Sequence, residues 1–226
     1  MRGKFITFEG GEGTGKSTQA TMLTLALEGI GLGVLRTREP GGSPGAEIIR
    51  HVLLSGAAKP LGADAEAMLF AAAREDHVRC TIEPALGAGK WVVCDRFADS
   101  TRVYQGVLGS VDLRLIKGLE RVSIGDLMPS LTLILDAPVE ITLERSALRR
   151  GNAAADRFEG ESREFHVKLR EAFRALAEAE PDRCVVINAN VPRQQVAKQI
   201  WELVQERLDP ATAPFAFERK AENLAS

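Results

Sequence analysis

Cysteine is scarce in this chain of 226 residues: Cys80, Cys94 and Cys184 are an odd number with no metal-type spacing. That leaves no thiolate metal site to argue for and fits a reducing cytoplasm. Cys94 closes the apolar run Trp91-Val92-Val93 and is expected to be a buried free thiol. The histidines, His51, His77 and His166, are scattered and form no metal or triad pattern. Charge of one sign is also lacking: 29 Lys and Arg face 31 Asp and Glu, a formal net charge of -2. Composition therefore forces no polyanion-binding surface, and no nucleic-acid partner is expected. No apolar run approaches the ~20 residues needed to cross a bilayer, so no membrane association is expected either. No secretion signal is expected, since Met1 to Lys4 lead straight into the strand-like Phe5-Ile6-Thr7-Phe8. A soluble, cytoplasmic protein is expected. There is no internal repeat.

What is present is ordinary globular composition, 45% hydrophobic and 27% charged, in a length that suits one domain, or one domain with a mobile insert. Apolar runs of strand length occur at Phe5–Phe8, Val34–Thr37, Trp91–Cys94, Leu131–Leu135 and Cys184–Ile187. Between them, apolar positions three or four apart predict helices over Ser17–Leu27, Ala63–Leu86, Leu113–Ile124, Val139–Leu148, Arg163–Ala179 and Arg193–Leu208. Short strands alternating with helices imply βαβ units, a parallel sheet and a doubly wound three-layer α/β domain. Three stretches break the rhythm. Pro40-Gly41-Gly42-Ser43-Pro44-Gly45 interrupts the chain after the second strand, and the Arg-rich segment at about 149–158 has the character of a lid. Residues 1–208 form the expected domain; 209–226, with Pro210 and Pro214, is expected to be a loose extension.

The strongest motif is Gly10-Gly11-Glu12-Gly13-Thr14-Gly15-Lys16-Ser17, followed by Thr18, directly after a strand and before a helix. It matches the P-loop pattern: small residues let backbone N–H groups converge on phosphate oxygens at the positive end of the helix. In that pattern Lys16 reaches the β- and γ-phosphates and the Ser17 hydroxyl ligates Mg²⁺. Asp95, at the end of Trp91–Cys94, stands where open α/β sheets place ligand groups and is the candidate metal-side carboxylate, although an Asp there also serves as a helix cap. A P-loop alone leaves the acceptor open.

Further motifs narrow it. Phe8-Glu9-Gly10, the P-loop, Thr37-Arg38-Glu39-Pro40-Gly41-Gly42, Leu69-Phe70-Ala71-Ala72-Ala73-Arg74, Asp95-Arg96-Phe97 with Ser100 and Tyr104-Gln105-Gly106, and Asp156-Arg157 occur in unbroken order. Together they resemble bacterial thymidylate kinase from about Met1 to Leu208. The resemblance implies a P-loop nucleoside monophosphate kinase fold with a five-stranded parallel sheet and a helical lid. It also implies ATP and dTMP as substrates, Mg²⁺ as cofactor and a homodimer, plausible through the long Ala63–Leu86 helix.

Carried over residue by residue, the resemblance implies that Phe70 stacks on thymine and Arg74 donates to a ring carbonyl. Their spacing of four puts both on one helix face. Arg96 would grip the acceptor phosphate with help from Arg50, because two anionic phosphate groups must be brought together. Ser100 and Thr101 would lie at the pyrimidine edge, Gln105 would contact the nucleotide, and Tyr104 would crowd the sugar 2′ position. Glu12, unexpected in an anion-binding loop, would turn to the acceptor 3′-hydroxyl, with Glu39 in the same wall. One branch of the family carries an arginine in the P-loop where this chain has Gly13. The other branch supplies it from the lid, where this chain has Arg149, Arg150 and Arg157. Of these, Arg150 and Arg157 are the expected catalytic cations beside Lys16 and Asp95, and Arg149 is expected on ATP. The departures are Val103 where alanine is common and an Ala153–Ala155 run that lengthens the lid. The competing readings are a kinase for another mononucleotide such as dUMP, and a nucleotide switch. No guanine-reading Asn-Lys-x-Asp stretch supports the switch.

Overall fold

The computed structural model describes residues 2–151, 158 and 160–210. Five strands, β1 (Phe5–Glu9), β2 (Val34–Arg38), β3 (Trp91–Asp95), β4 (Leu131–Asp136) and β5 (Cys184–Asn188), form one sheet in the order β2-β3-β1-β4-β5. All four pairings are parallel. β1 is buried along its whole length, as a central parallel strand covered on both faces must be, whereas β2 and β5 at the edges are only partly covered. Each strand runs one residue beyond its apolar run, and in β1, β3 and β4 that extra residue is an acid, Glu9, Asp95 or Asp136.

Nine helices are described: α1 (Lys16–Gly29), α2 (Pro44–Leu54), α3 (Ala63–His77), α4 (Glu83–Gly87), α5 (Ala98–Thr101), α6 (Leu113–Ile124), α7 (Val139–Arg150), α8 (Arg163–Ala179) and α9 (Arg193–Leu208). Alternation along the strands sends side chains to two cores. Ile6, Phe8 and Leu133 pack with Leu23 and Leu27 of α1 and with Ile200, Trp201 and Val204 of α9. On the opposite face Phe5, Val92 and Cys94 meet Phe97, Ile82 and Leu86, and Ile134 meets Leu169 and Phe173 of α8. Cys94 is the buried free thiol its context predicts.

The helix expected over Ala63–Leu86 is not uniform. A π-helical turn, Val78–Ile82, separates α3 from α4. Pro84 has no N–H to donate and would clash with a carbonyl one turn back, so the backbone widens ahead of it. Two helical segments lacked a periodic signal. α2 starts at Pro44, a residue whose missing N–H costs nothing in a first turn. α5 continues into a π-helical segment, Arg102–Leu108, whose wide turn blurs the 3.6-residue spacing. At the other end, Asp209 closes α9 in the left-handed region and Pro210 is buried, so these two residues are not loose; 211–226 lie outside the described residues.

The consequence for function lies in strand order. After β2 and β3 the chain crosses β1 to reach β4, so β1 sits where the winding reverses. Ligands of open α/β sheets bind beyond the strand C-termini at that point. The loop after β1 lies there, and the register Phe8↔Asp95 sets Asp95 beside it.

Candidate active site

The loop between β1 and α1 is built on left-handed backbone: Gly10, Gly13 and Gly15 have φ of 124°, 71° and 95°. At Gly13 a Cβ would fall 2.0 Å from the Thr142 carbonyl oxygen, so no side chain fits without moving backbone. Thr14 Oγ1 donates to the Gly11 carbonyl at 2.9 Å and ties the loop across itself. Lys16 is buried and its Nζ donates to the carbonyls of Gly10 (3.1 Å) and Gly11 (2.7 Å). Burial, then the nearby Arg96 cation, push its pKa down to about 8, against the pull of Glu12, Asp95 and Glu9. An anion in the loop would favour the charged ammonium. Ser17 Oγ donates to Asp95 Oδ2 at 2.5 Å, placing a hydroxyl and a carboxylate side by side at the loop's edge.

This loop opens on a cavity of ≈ 600 Å³, a volume suited to a nucleotide-sized ligand. Gly13, Gly15, Lys16, Ser17 and Thr18 of the loop line it, with Asp95 beside Ser17. Phe70, Thr101, Tyr104 and Gln105 line it too, and Glu12, Glu39, Arg50, Arg96 and Ser100 lie in the same lining. These groups come from the loop after β1, from α3 and from the segment after β3, far apart in sequence, and the fold brings them together. Gly10, Gly11 and Thr14 sit behind the loop and line a small void under it.

Arg96 is the centre of the arrangement. Its φ is 71°, a conformation that costs a non-glycine residue about 1–3 kcal/mol and that survives only where its surroundings impose it. Nη1 donates to the Gly10 carbonyl (3.1 Å) and to Ser100 Oγ (3.2 Å), and Nη2 donates to Glu12 Oε1. The guanidinium also lies over the Tyr104 ring, 5.1 Å from its centroid. Glu12 thus faces Arg96 within the cleft. Although burial alone would raise its pKa, the Arg96, Lys16 and Arg149 cations hold it at about 2. The Tyr104 hydroxyl is 3.4 Å from the same Glu12 oxygen, and burial pushes its pKa well up, so it stays a neutral donor. Tyr104 packs edge-on against Phe158 and Phe173, at 5.0 and 6.2 Å between centroids. It is both a core residue and a wall of the cleft.

Glu9, at the end of β1, is fully buried, and its pKa is pushed up to about 7, by burial first and by Asp99 next. It accepts three hydrogen bonds, from Phe97 N (2.7 Å), Ser100 N (3.3 Å) and Ser100 Oγ (2.6 Å).

Arg74 does not lie in the cavity lining. It is 2% exposed, and Nε donates to Glu39 Oε2 (2.7 Å) while Nη2 donates to the Phe97 carbonyl and Thr101 Oγ1 (both 3.1 Å). It holds the wall from behind, and Nη1 is the one guanidinium nitrogen outside these bonds. Its helix neighbour Phe70 is half-buried and lines the cavity, 6.3 Å from the Phe158 ring. Glu39 also meets His77 Nδ1 at 3.1 Å, and His77 Nε2 lies 2.7 Å from Thr37 Oγ1. Arg50 reaches the Pro40 carbonyl at 2.5 Å and lines the cavity.

Of the lid arginines, Arg149 lines the cavity and Arg150 does not; Arg157 lies outside the described residues. Arg145, one turn before Arg149 on α7, lines the cavity too and donates to the Ala189 carbonyl at 3.0 Å. Sequence motifs missed Arg145, Leu54 and Phe158 as lining residues. For Arg145 the cue was present, because positions four apart share a helix face.

The comparisons with known proteins agree with this geometry. The family model described as thymidylate kinase matches residues 8–200. A protein of Bradyrhizobium diazoefficiens named thymidylate kinase is 60% identical over 212 residues, covering 94% of this chain and 93% of its own length. One of the same name from Rhodopseudomonas palustris (strain CGA009) is 60% identical over 215 residues, covering 94% of each. The crystal structure of thymidylate kinase from Ehrlichia chaffeensis superposes with a TM-score of 0.73 at 32% identity, covering 91% of this chain and all of that one.

Proposed function

This chain belongs to the thymidylate kinase family, a phosphotransferase passing the γ-phosphoryl group of ATP to dTMP to give ADP and dTDP, and on that premise we propose how its cleft does so. The carrying observation is that the P-loop with Lys16, the Arg96–Glu12 pair and the Phe70–Tyr104 wall line one cavity. These three groups suit, in turn, a donor phosphate, an acceptor phosphate and a planar base.

ATP takes the loop. Its phosphates accept the backbone N–H groups of Gly13, Gly15 and Lys16 at the start of α1, and the Lys16 ammonium leaves the Gly10 and Gly11 carbonyls for the transferred group. The Ser17 hydroxyl and Asp95 carboxylate are hard oxygen donors 2.5 Å apart. A site with few protein ligands, completed by phosphate oxygens and water, suits Mg²⁺. When bound there, Mg²⁺ supplies charge neutralisation of the donor phosphates.

dTMP takes the other part of the cavity. Phe70 stacks on the thymine ring and Thr101 and Gln105 lie at its edge, while Arg74 supports that wall from behind through Thr101 and Glu39. Arg96 and Arg50 take the acceptor phosphate. Arg96 then exchanges Glu12 for phosphate, and the released Glu12 carboxylate, already ionised, accepts from the 3′-hydroxyl. Tyr104 stands against the sugar, where an added 2′-hydroxyl would collide with a ring fixed by Phe158 and Phe173.

Charge developing on the transferred group needs a further cation, and Gly13 has no room to provide one from the loop. Arg149 is the lid arginine that lines the cavity and takes this role, with Arg145 one turn before it. Arg150 follows Arg149 at the end of α7, and Arg157, the other arginine expected to act here, lies outside the described residues.

We further propose a homodimer formed by α2, α3 and α6, where Ile48, Val52, Met68 and Val122 are exposed, Ile48 at 70% and Val122 at 79%. No described helix is long and apolar enough to cross a membrane, and the free thiols Cys80, Cys94 and Cys184 suit a cytoplasmic location. A coupled ADP-release assay across nucleoside monophosphates tests the function: dTMP should be turned over fastest. Preference for dUMP or for a ribonucleotide would refute the acceptor assignment, and acceptor-independent hydrolysis would favour a switch.

A further inference from the structure

Arg96 keeps an unfavourable backbone conformation, so something adjacent must hold it there. Its own N–H donates to the Phe8 carbonyl at 2.9 Å, fixing the near side of the turn to β1. The far side is fixed by the next residue of that same strand. Glu9 Oε1 takes the N–H of Phe97 at 2.7 Å and of Ser100 at 3.3 Å, and Glu9 Oε2 takes the Ser100 hydroxyl at 2.6 Å. Ser100 Oγ in turn accepts from Arg96 Nη1 at 3.2 Å. One carboxylate therefore anchors both the backbone after Arg96 and the hydroxyl that aims its guanidinium. Asp99, the other buried acid nearby, is not free to do this, since Arg183 grips both its oxygens at 2.7 Å.

We propose that Glu9 is the positioning residue that sets Arg96 for the acceptor phosphate, an inference that rests on Arg96 being that phosphate's grip. Glu9 itself touches no substrate. Its role is geometric: an acceptor oxygen at a fixed distance from the Phe97 N–H. Charge and geometry are separable in two variants. Glu9→Gln removes the charge and keeps an acceptor oxygen at the same reach. Glu9→Asp keeps the charge and withdraws the carboxylate by about 1.5 Å, beyond hydrogen-bond distance of Phe97 N.

The test measures binding of dTMP and of ATP by titration calorimetry, with thermal unfolding of each variant as a folding control. Glu9→Asp should weaken dTMP binding by at least about tenfold, with ATP binding within about twofold of native. Glu9→Gln should stay within about threefold for both ligands. In an Arg96→Ala background, adding Glu9→Asp should cost less than about a further twofold, because a residue acting through Arg96 has nothing left to position. Unchanged dTMP binding in Glu9→Asp would overturn the proposal. So would a Gln variant as weak as the Asp variant, or a Glu9→Asp loss that persists without Arg96. If Glu9→Asp does not fold, Glu9→Gln decides alone: a tenfold loss of dTMP binding there overturns it. Arg96→Ala with native dTMP binding would instead remove the phosphate-grip assignment, a separate failure because Glu9 is intact in that variant.

Discussion

Replacing Arg74 by methionine should unfold this protein at a markedly lower temperature, and the structure sets the size of the effect. The Arg74 and Glu39 side chains are 2% and 4% exposed and meet at 2.7 Å. Methionine fills much of the aliphatic stem but leaves the Glu39 carboxylate buried beside His77, takes one of two donors from the Phe97 carbonyl, which keeps the Ser100 N–H, and removes the donor to Thr101 Oγ1. Removing one partner of a buried ion pair costs about 3–5 kcal/mol, most of it the desolvated charge left behind. For a domain of this size that corresponds to a fall in Tm of roughly 6–20 °C. Differential scanning calorimetry at neutral pH measures it. The double variant Arg74→Met with Glu39→Gln should recover more than half of the loss, because the stranded charge is gone, even though a catalytic-wall residue has been altered. A fall of less than about 3 °C in the single variant, or no recovery in the double, would refute the account of Arg74 as the pillar of this wall.

Lys16→Ala should fold normally and lower kcat by about 10²–10³, read in the coupled assay; near-native turnover would remove the loop from the mechanism. Arg149→Ala should lower kcat by at least about a hundredfold with dTMP affinity within about twofold, as expected of a contact made chiefly in the transition state. An unchanged kcat would pass the role to Arg150 or Arg157. Tyr104→Ala should narrow the preference for dTMP over its ribose counterpart by about tenfold in kcat/KM, and an unchanged ratio would make the tyrosine a core residue only. Glu9 also predicts a pH dependence. Its pKa is raised from 4.5 to about 7 on folding, so its contribution to stability is complete below 4.5 and is lost as pH rises to about 7. The Tm of Glu9→Gln should therefore fall less than that of the native protein across this window, and parallel curves would refute it.

The sequence by itself determined the elements whose apolar pattern is local and uninterrupted. The five strands follow from short apolar runs, since a central parallel strand must be apolar on both faces, and α6, α8 and α9 begin and end where their spacing predicts. The P-loop was legible because its glycines, lysine and serine act on one phosphate group from consecutive positions. The acceptor motifs were legible as a resemblance, which gave Phe70, Arg96 and Tyr104 their expected places in the lining. What only the tertiary structure decided is pairing across long separations. Glu12 meets Arg96 from 84 residues away, and Glu9 meets Phe97 from 88. No spacing rule reports such contacts, because they depend on β1 and β3 being neighbours in register. The same holds for Arg74. Its position on the Phe70 face was readable, but whether its guanidinium enters the cavity or supports Glu39 depends on a carboxylate that a different loop delivers. Arg145 and Arg149 rather than Arg150 line the cavity because α7 presents one face to the P-loop, and a helix's rotation is set by what packs against it, not by its own sequence.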